Sequence, residues 1–451
     1  MSKQANTDKL GTMPIGKLLP SMAIPMMLSF FIQALYYFVD SIFIARVSEN
    51  ALAAVSLTFP VTNIMCAIAV GVGIGMSVSV SRSMGKGDVE KADAFLNTGL
   101  TVLFFEIAVF MLFGIFFANK FFTLQTDVAD IVISGTTYLR IITIGCAFMV
   151  VAVYIEKALV SVGYSFYSML ALGIAAVWNI IFDPILIFGL GPFPKLGIMG
   201  AAIATVSAQF IECSIALGLF IGKNKSLRFH LGKLFKISGK DVGQILRIGF
   251  PSMIAMSLTA VASFLVNQIL LTYSTTATAC YGIWIRLQDF CFMPGFGLNN
   301  GMLPILSYNM GKGNMDRVRK TIRYALMTII TLMIILTVVF LCIPVPLLKL
   351  FDASPNMMEI GKKMLSICLL SLPFGGVSIV MGSAMQAVGG EKYTTILNFL
   401  RNLVISVPCF FIIYLASHNL NLEWWAVPGA EFISLIFAIF FFGKVNKKIG
   451  L

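Results

Sequence analysis

Apolar runs of about 20 to 30 residues recur along the whole chain, and this recurrence constrains the fold more than any other feature. At ~1.5 Å per residue, a helix of that length crosses about 30 Å of hydrocarbon. The spans read as 14–44, 52–82, 92–118, 128–160, 166–190, 198–221, 245–273, 278–309, 316–342, 355–388, 394–416 and 424–443. In lipid every backbone N–H and C=O must find its partner within the protein, which leaves helices and closed barrels. The runs are continuous and lack the short alternating pattern of barrel strands, so helices are expected. The predicted class is an all-α polytopic membrane protein with twelve transmembrane helices. Composition agrees, since only 12% of residues are charged, against about a quarter in soluble domains. The polar start, and a first run that is long and lacks a small-residue cleavage site, predict a first helix retained as a span.

A net charge of +12 would suit a nucleic-acid binder, but the basic residues occupy alternate loops. The segment after the sixth span carries Lys223, Lys225, Arg228, Lys233, Lys236, Lys240 and Arg247 against Asp241 alone. Lys3, Lys9, Lys17, Arg82, Lys86, Lys91, Lys312, Arg317, Arg319, Lys320, Arg323, Lys444, Lys447 and Lys448 fall on the same side. Lys349, Lys362 and Lys363 stand against this asymmetry without reversing it. The positive-inside rule therefore predicts a multi-pass membrane protein with both termini cytoplasmic, surrounded by lipid and binding no nucleic acid. All eight cysteines lie in apolar segments without a CxxC pair, which reads as packing and excludes a disulfide scaffold.

The chain repeats itself. Gly71, Gly75, Met76, Ser81, Met84, Gly85, Lys86 and Gly87 return 226 residues later as Gly297, Gly301, Met302, Ser307, Met310, Gly311, Lys312 and Gly313. Pro25 and Pro251 share that offset, as do Val162-Gly163 and Val388-Gly389. Six spans per half is an even number, so both halves start on one side and insert in parallel. The expected organisation is an amino-terminal six-helix lobe over 1–221, a basic linker over 222–247 that suits a mobile connection, and a carboxyl-terminal lobe over 248–451. Such a pair predicts a substrate site between the lobes and alternating access by rocking. The Gly71–Gly75 and Gly297–Gly301 spacings read as close helix packing, and the Met-Gly-Lys-Gly turns as helix caps.

An ionised side chain at mid-membrane costs roughly 2.5–3.5 kcal/mol, so each one needs a role or a partner. On the first span, Gln33, Tyr36 and Tyr37 share a helix face with Asp40. On the fifth, Asn179 and Asp183 stack at i, i+4 and Pro184 follows, freeing a carbonyl near Ile180. A carboxylate, a carboxamide and a free carbonyl make a proton or sodium site; the alternative is a structural Asp at a kinked helix. Arg286 and Asp289, at i, i+3, are expected to neutralise one another. Glu156-Lys157 and Arg401 are expected to snorkel toward a membrane face. Glu106, Glu212 and Glu431 have no role that periodicity explains. The 25 Met and 39 Phe suit a pocket accepting differently shaped aromatic ligands, although most of them pack helices or face lipid. No phosphate loop, HExxH or GxSxG motif is present, and the two histidines, His230 and His418, lie in or beside loops; the chain is expected to be no enzyme and to need no cofactor.

These residues resemble the multidrug and toxic compound extrusion (MATE) transporters over essentially the whole chain. The resemblance rests on Asp40 within Tyr-Tyr-Phe-Val-Asp-Ser, on the run from Asn179 through Asp183-Pro184 to Gly189, and on Gly200-Ala-Ala-Ile-Ala-Thr205. It is to the DinF-like and MepA-like bacterial branch. It implies two parallel six-helix lobes and efflux of organic, often cationic, compounds by proton or sodium antiport, with the protein functional as a monomer. It also implies that Asp40, Asn179, Asp183 and Thr205 couple the cation, sodium being a candidate at the first three. Gln33, Tyr36, Tyr37 and Glu156 are expected at the substrate cavity, Glu156 and Glu431 resembling acids recurrent in the MepA-like group. The seventh span has no acid where NorM-like members carry a coupling glutamate, which argues against sodium coupling in the second lobe. The alternatives are a lipid-linked oligosaccharide flippase, which should line its cavity with several cations, and a non-transporting receptor or scaffold, which gives the polar cluster no purpose.

Overall fold

The structure is a computed structural model describing residues 8–224, 227–230, 238–351 and 354–450. Lys3, Lys225, Lys233 and Lys236 of the basic loops, and much of the linker, lie outside these residues. No strand occurs among the described residues. Twelve helical passes follow one another: α1 (Ile15–Ala45), α2 (Glu49–Gly85), α3 (Val89–Phe116), the bent pair α4 (Ala129–Ile144 and Cys146–Ser161), α5 (Ser165–Phe188), α6 (Ile198–Lys223), α7 (Gly239–Leu271), α8 (Thr275–Lys312), α9 (Met315–Cys342), α10 (Pro355–Val388), α11 (Glu391–Ser417) and α12 (Leu420–Lys447). Ten of these helices are apolar enough to cross a membrane unaided, and α4 qualifies as a pair bent by 47°. The twelfth, α8, is 38 residues long and more polar.

The breaks have local causes. Gly145 sits at the α4 bend, where a Cβ would meet Val206 at 2.6 Å. Pro373 follows a short 3₁₀ turn, Leu369–Ser371, inside α10. In α11, Pro408 has no N–H to offer the carbonyl of Val404, and the preceding residues Leu400–Ile405 widen into a π-helix. The sequence repeat extends to the caps. Ser48 and Ser274 each accept a hydrogen bond at 3.0 Å from the backbone three residues on. Asp88 and Asn314 do the same for α3 and α9, at 2.9 and 3.2 Å. The Met-Gly-Lys-Gly turns are caps as expected, with Gly87 and Gly313 left-handed at φ 79° and 76°.

The helices form two compact units. Unit 1 comprises Met1–Met13 and Ile24–Phe250; unit 2 comprises Pro14–Ala23 and Pro251–Leu451. Each unit thus includes the opening turns of a helix that begins the other half of the sequence. In unit 1, α2 closes on the start of α7 so tightly that a Cβ on Gly75 would overlap the Ile245 carbonyl, and one on Gly249 the Gly71 carbonyl. In unit 2, a Cβ on Gly301 would lie 2.7 Å from Ala23 Cα. The GxxxG spacing is therefore a packing device. Large exposed side chains such as Phe105, Val109 and Phe116 on α3, and Ile335, Val338 and Val339 on α9, give the outer surface its apolar character.

The described part of the linker differs from a free connector. On α3, Asp93 and Asn97 stand one turn apart and accept the backbone N–H groups of Arg228 and His230, both at 2.8 Å. Asn97 also donates to the Arg228 carbonyl at 3.1 Å, and Lys91 pairs with Asp241 at 2.8 Å. Composition shows the polarity of this strand of chain but not that two α3 side chains satisfy its backbone.

Candidate functional site

The polar face of α1 meets α5 and α6 inside unit 1. Asn179 and Asp183 are fully buried and Asp40 nearly so. The Asn179 amide donates to Asp183 Oδ1 at 3.3 Å. The carboxyl groups of Asp40 and Asp183 lie within hydrogen-bonding reach of one another. Thr205 on α6 completes the group, with the phenols of Tyr36 and Tyr138 beside its hydroxyl but in no well-formed hydrogen bond to it. Pro184 lies inside α5, as the sequence suggested, one turn beyond Ile180.

Four buried oxygens in this group have no hydrogen-bond partner among the described residues: Asp40 Oδ1, Asp183 Oδ2, Asn179 Oδ1 and Thr205 Oγ1. Orphaned acceptors are costly away from water, and two adjacent carboxylates add mutual repulsion. A proton shared by the two acids relieves both penalties, and so does a hard cation with oxygen ligands. Among the described residues, no group of three or more His, Cys, Asp or Glu side chains converges to hold a metal ion. The oxygen set thus suits a proton or an alkali cation better than a transition metal.

The four residues expected to couple the cation therefore come together from three helices. Of the residues expected at the cavity, Tyr36 borders Thr205, and Gln33 lies beside the Tyr37 hydroxyl. Tyr37 is exposed on the helix surface, with Cys66, Glu212 and Asp40 within electrostatic reach of its phenol. Glu156 is farther along, within electrostatic reach of Glu212. Tyr138 on α4 was not anticipated; its only sequence signal is the short polar run Thr136-Thr137-Tyr138.

Three expectations about charged residues fail. Lys157 does not snorkel; its Nζ pairs with Glu156 Oε1 at 2.8 Å while its stem lies against Gly73, where a Cβ would come within 2.8 Å. Arg401 does not snorkel either. It holds Glu431 in a bidentate pair, with Nε 2.9 Å from Oε2 and Nη2 2.7 Å from Oε1, and both side chains are largely buried. No ion pair joins Arg286 to Asp289, whose carboxylate instead lines a cavity of unit 2 with Arg401 and Glu431. Two further acids are buried. Neither oxygen of Glu106 has a partner among the described residues, and Glu423 accepts a hydrogen bond from the Tyr273 hydroxyl at 2.9 Å. All eight cysteines are free.

Comparison with known proteins adds the family. The MatE family model matches residues 25–185 and again 251–412, one match in each half. Among curated proteins, an FAD transporter of Shewanella oneidensis is 28% identical over 399 residues, covering 88% of this chain and 87% of its own. The multidrug export protein MepA of Staphylococcus haemolyticus is 26% identical over 443 residues, covering 96% and 95%. The probable multidrug resistance protein YoeA of Bacillus subtilis is 26% identical over 433 residues, covering 94% and 93%. Among solved structures, a MATE transporter in complex with MaL6 superposes with a TM-score of 0.89 at 23% identity, over 99% of this chain and 98% of that one. A MOP superfamily transporter from Pyrococcus furiosus gives 0.86 at 22% identity, over 100% and 99%.

Proposed function

This chain belongs to the MatE family of multidrug efflux transporters, and from that premise we propose that it exports organic, often cationic, compounds by antiport with protons or sodium. The observation that carries the reading is the set of four unpartnered oxygens on Asp40, Asn179, Asp183 and Thr205. Ionised, Asp40 leaves the set anionic and able to hold a cation or a cationic compound. Protonated, it donates across to Asp183 on α5 and the set closes. Proton and cargo then exclude one another, which is the requirement for exchange. Alternating access follows from rocking of the two units, in a multi-pass protein of the bacterial inner membrane with cytoplasmic termini, working as a monomer.

The test is gradient-driven efflux of a fluorescent organic cation from right-side-out vesicles, with a proton gradient and then a sodium gradient imposed. Asp40→Asn should insert normally yet lose efflux, Asp183→Asn should be similarly impaired, and Glu106→Gln should matter less. Cargo binding to solubilised protein should release protons, and release fewer in Asp40→Asn. Wild-type efflux by Asp40→Asn at matched expression would remove the coupling site. A second reading, export of flavin nucleotides, is supported by the likeness to the Shewanella FAD transporter. FAD counterflow into proteoliposomes tests it, and the absence of counterflow refutes it.

A further inference from the structure

The coupling reading makes no use of a cavity of about 130 Å³ within unit 2. Its wall brings together Arg401, Glu431, Asp289 and Gln288 with Trp284 and Phe292. The guanidinium of Arg401 commits Nε and Nη2 to Glu431, and Phe292 lies 5.8 Å beneath it. Its Nη1 makes no hydrogen bond to a described residue, so one edge of the fork stays open. Asp289 and Gln288 likewise have no hydrogen-bond partner among the described residues. The π-helical stretch of α11 sets Arg401 in this wall, and such stretches often mark functional sites.

The wall therefore offers donors from a held cation, acceptors from a free carboxylate, an amide that supplies both, and flat apolar surfaces. Two carboxylates disfavour an anion. A cation would suit Asp289 but would lie against the open edge of Arg401. A neutral ring bearing a carbonyl beside an N–H answers both groups at once. Size agrees, since a buried apolar cavity of ~150 Å³ takes up benzene. We propose that this cavity is a subsite for a neutral, planar heteroaromatic ring with an imide or ureide edge, its carbonyl on Arg401, its N–H on Asp289 and its face against Phe292 and Trp284. A larger cargo inserts only its terminal ring. The assignment rests on reading the chain as a carrier of organic compounds and names one class of cargo.

Lumichrome, an uncharged fluorescent ring system with an imide edge, is titrated with the purified full-length protein in detergent, alongside its 1,3-dimethyl derivative. Lumichrome should bind saturably. Methylation, Arg401→Lys and Asp289→Asn should each weaken binding by at least about tenfold, the loss expected when a buried hydrogen-bonding group is left without its partner. Arg401→Lys keeps a cation beside Glu431, and each variant is taken forward only when monodisperse by size exclusion. Equal affinity for the parent and dimethyl rings, indifference to both substitutions, or no saturable binding would each overturn the proposal. So would tetraphenylphosphonium binding that depends on Asp289 where lumichrome does not bind, which would make the cavity a cation site. No ion gradient is applied, so a failure here leaves antiport untouched, and loss of antiport in Asp40→Asn leaves this titration unaffected.

Discussion

Removing Glu431 from its pair with Arg401 is the sharpest energetic test the structure offers. Three N–H···O contacts, at 2.7, 2.9 and 3.1 Å, join the two side chains, which retain only 17% and 11% exposure. Deleting one partner of a fully buried pair typically costs about 3–5 kcal/mol, because a charge is left without its counter-ion. The residual exposure lowers this, and about 2–3 kcal/mol is expected for Glu431→Gln and again for Arg401→Gln. The double variant strands neither member of the pair, so it should be little worse than either single one, which makes the coupling energy about 2 kcal/mol. Unfolding by sodium dodecyl sulfate in mixed micelles, followed by tryptophan fluorescence, supplies the four free energies of the cycle. Additive losses, with a coupling below about 0.5 kcal/mol, would show that the pair contributes nothing specific and that its geometry is incidental.

Reporters fused within 223–240 should be inaccessible from outside intact cells, and external labelling of a cysteine placed there would reverse the topology. Gly249→Leu, whose side chain would drive into the Gly71 carbonyl, should cost more than about 2 kcal/mol and lower the yield of monodisperse protein, whereas Gly282→Ala, with open space around it, should be neutral in the same assay. Asn97→Ala removes the acceptor of the His230 N–H and the donor to the Arg228 carbonyl, so limited proteolysis of the linker should accelerate severalfold; an unchanged cleavage rate would mean that these bonds do not hold it.

Much of this was legible in sequence, for physical reasons. Span length follows from bilayer thickness, so ten of the helices and the bent α4 are legible from length and hydropathy. Asp40 and Asp183 stood out because lipid makes each acid conspicuous, and the α5 pair obeyed helical periodicity. What escaped was pairing across helices. Arg286 and Asp289 looked like partners because they lie one turn apart, yet Arg401 is held by a residue 30 positions away. Helix spacing says which residues share a face and not what that face meets. Tyr138 and Glu423 were missed for the same reason, each being defined by neighbours on other helices. The π-helical stretch of α11 left only Pro408 as a trace, and a proline announces a disturbed ladder without saying how the turn is rebuilt.

The exchange of helix starts between the two units carries an implication for ancestry. Unit 2 takes in Pro14–Ala23, and these positions shifted by the repeat interval become 240–249, which unit 1 takes in. A lone six-helix half would thus leave its glycine seam on α2 uncovered and its own leading arm unplaced. Two copies trading arms would satisfy both, which is the arrangement of a domain-swapped dimer. Joining the copies in one chain then fixes a one-to-one ratio and frees each arm to diverge. It also means that either half made alone should be an incomplete folding unit, rescued only when the other is synthesised beside it.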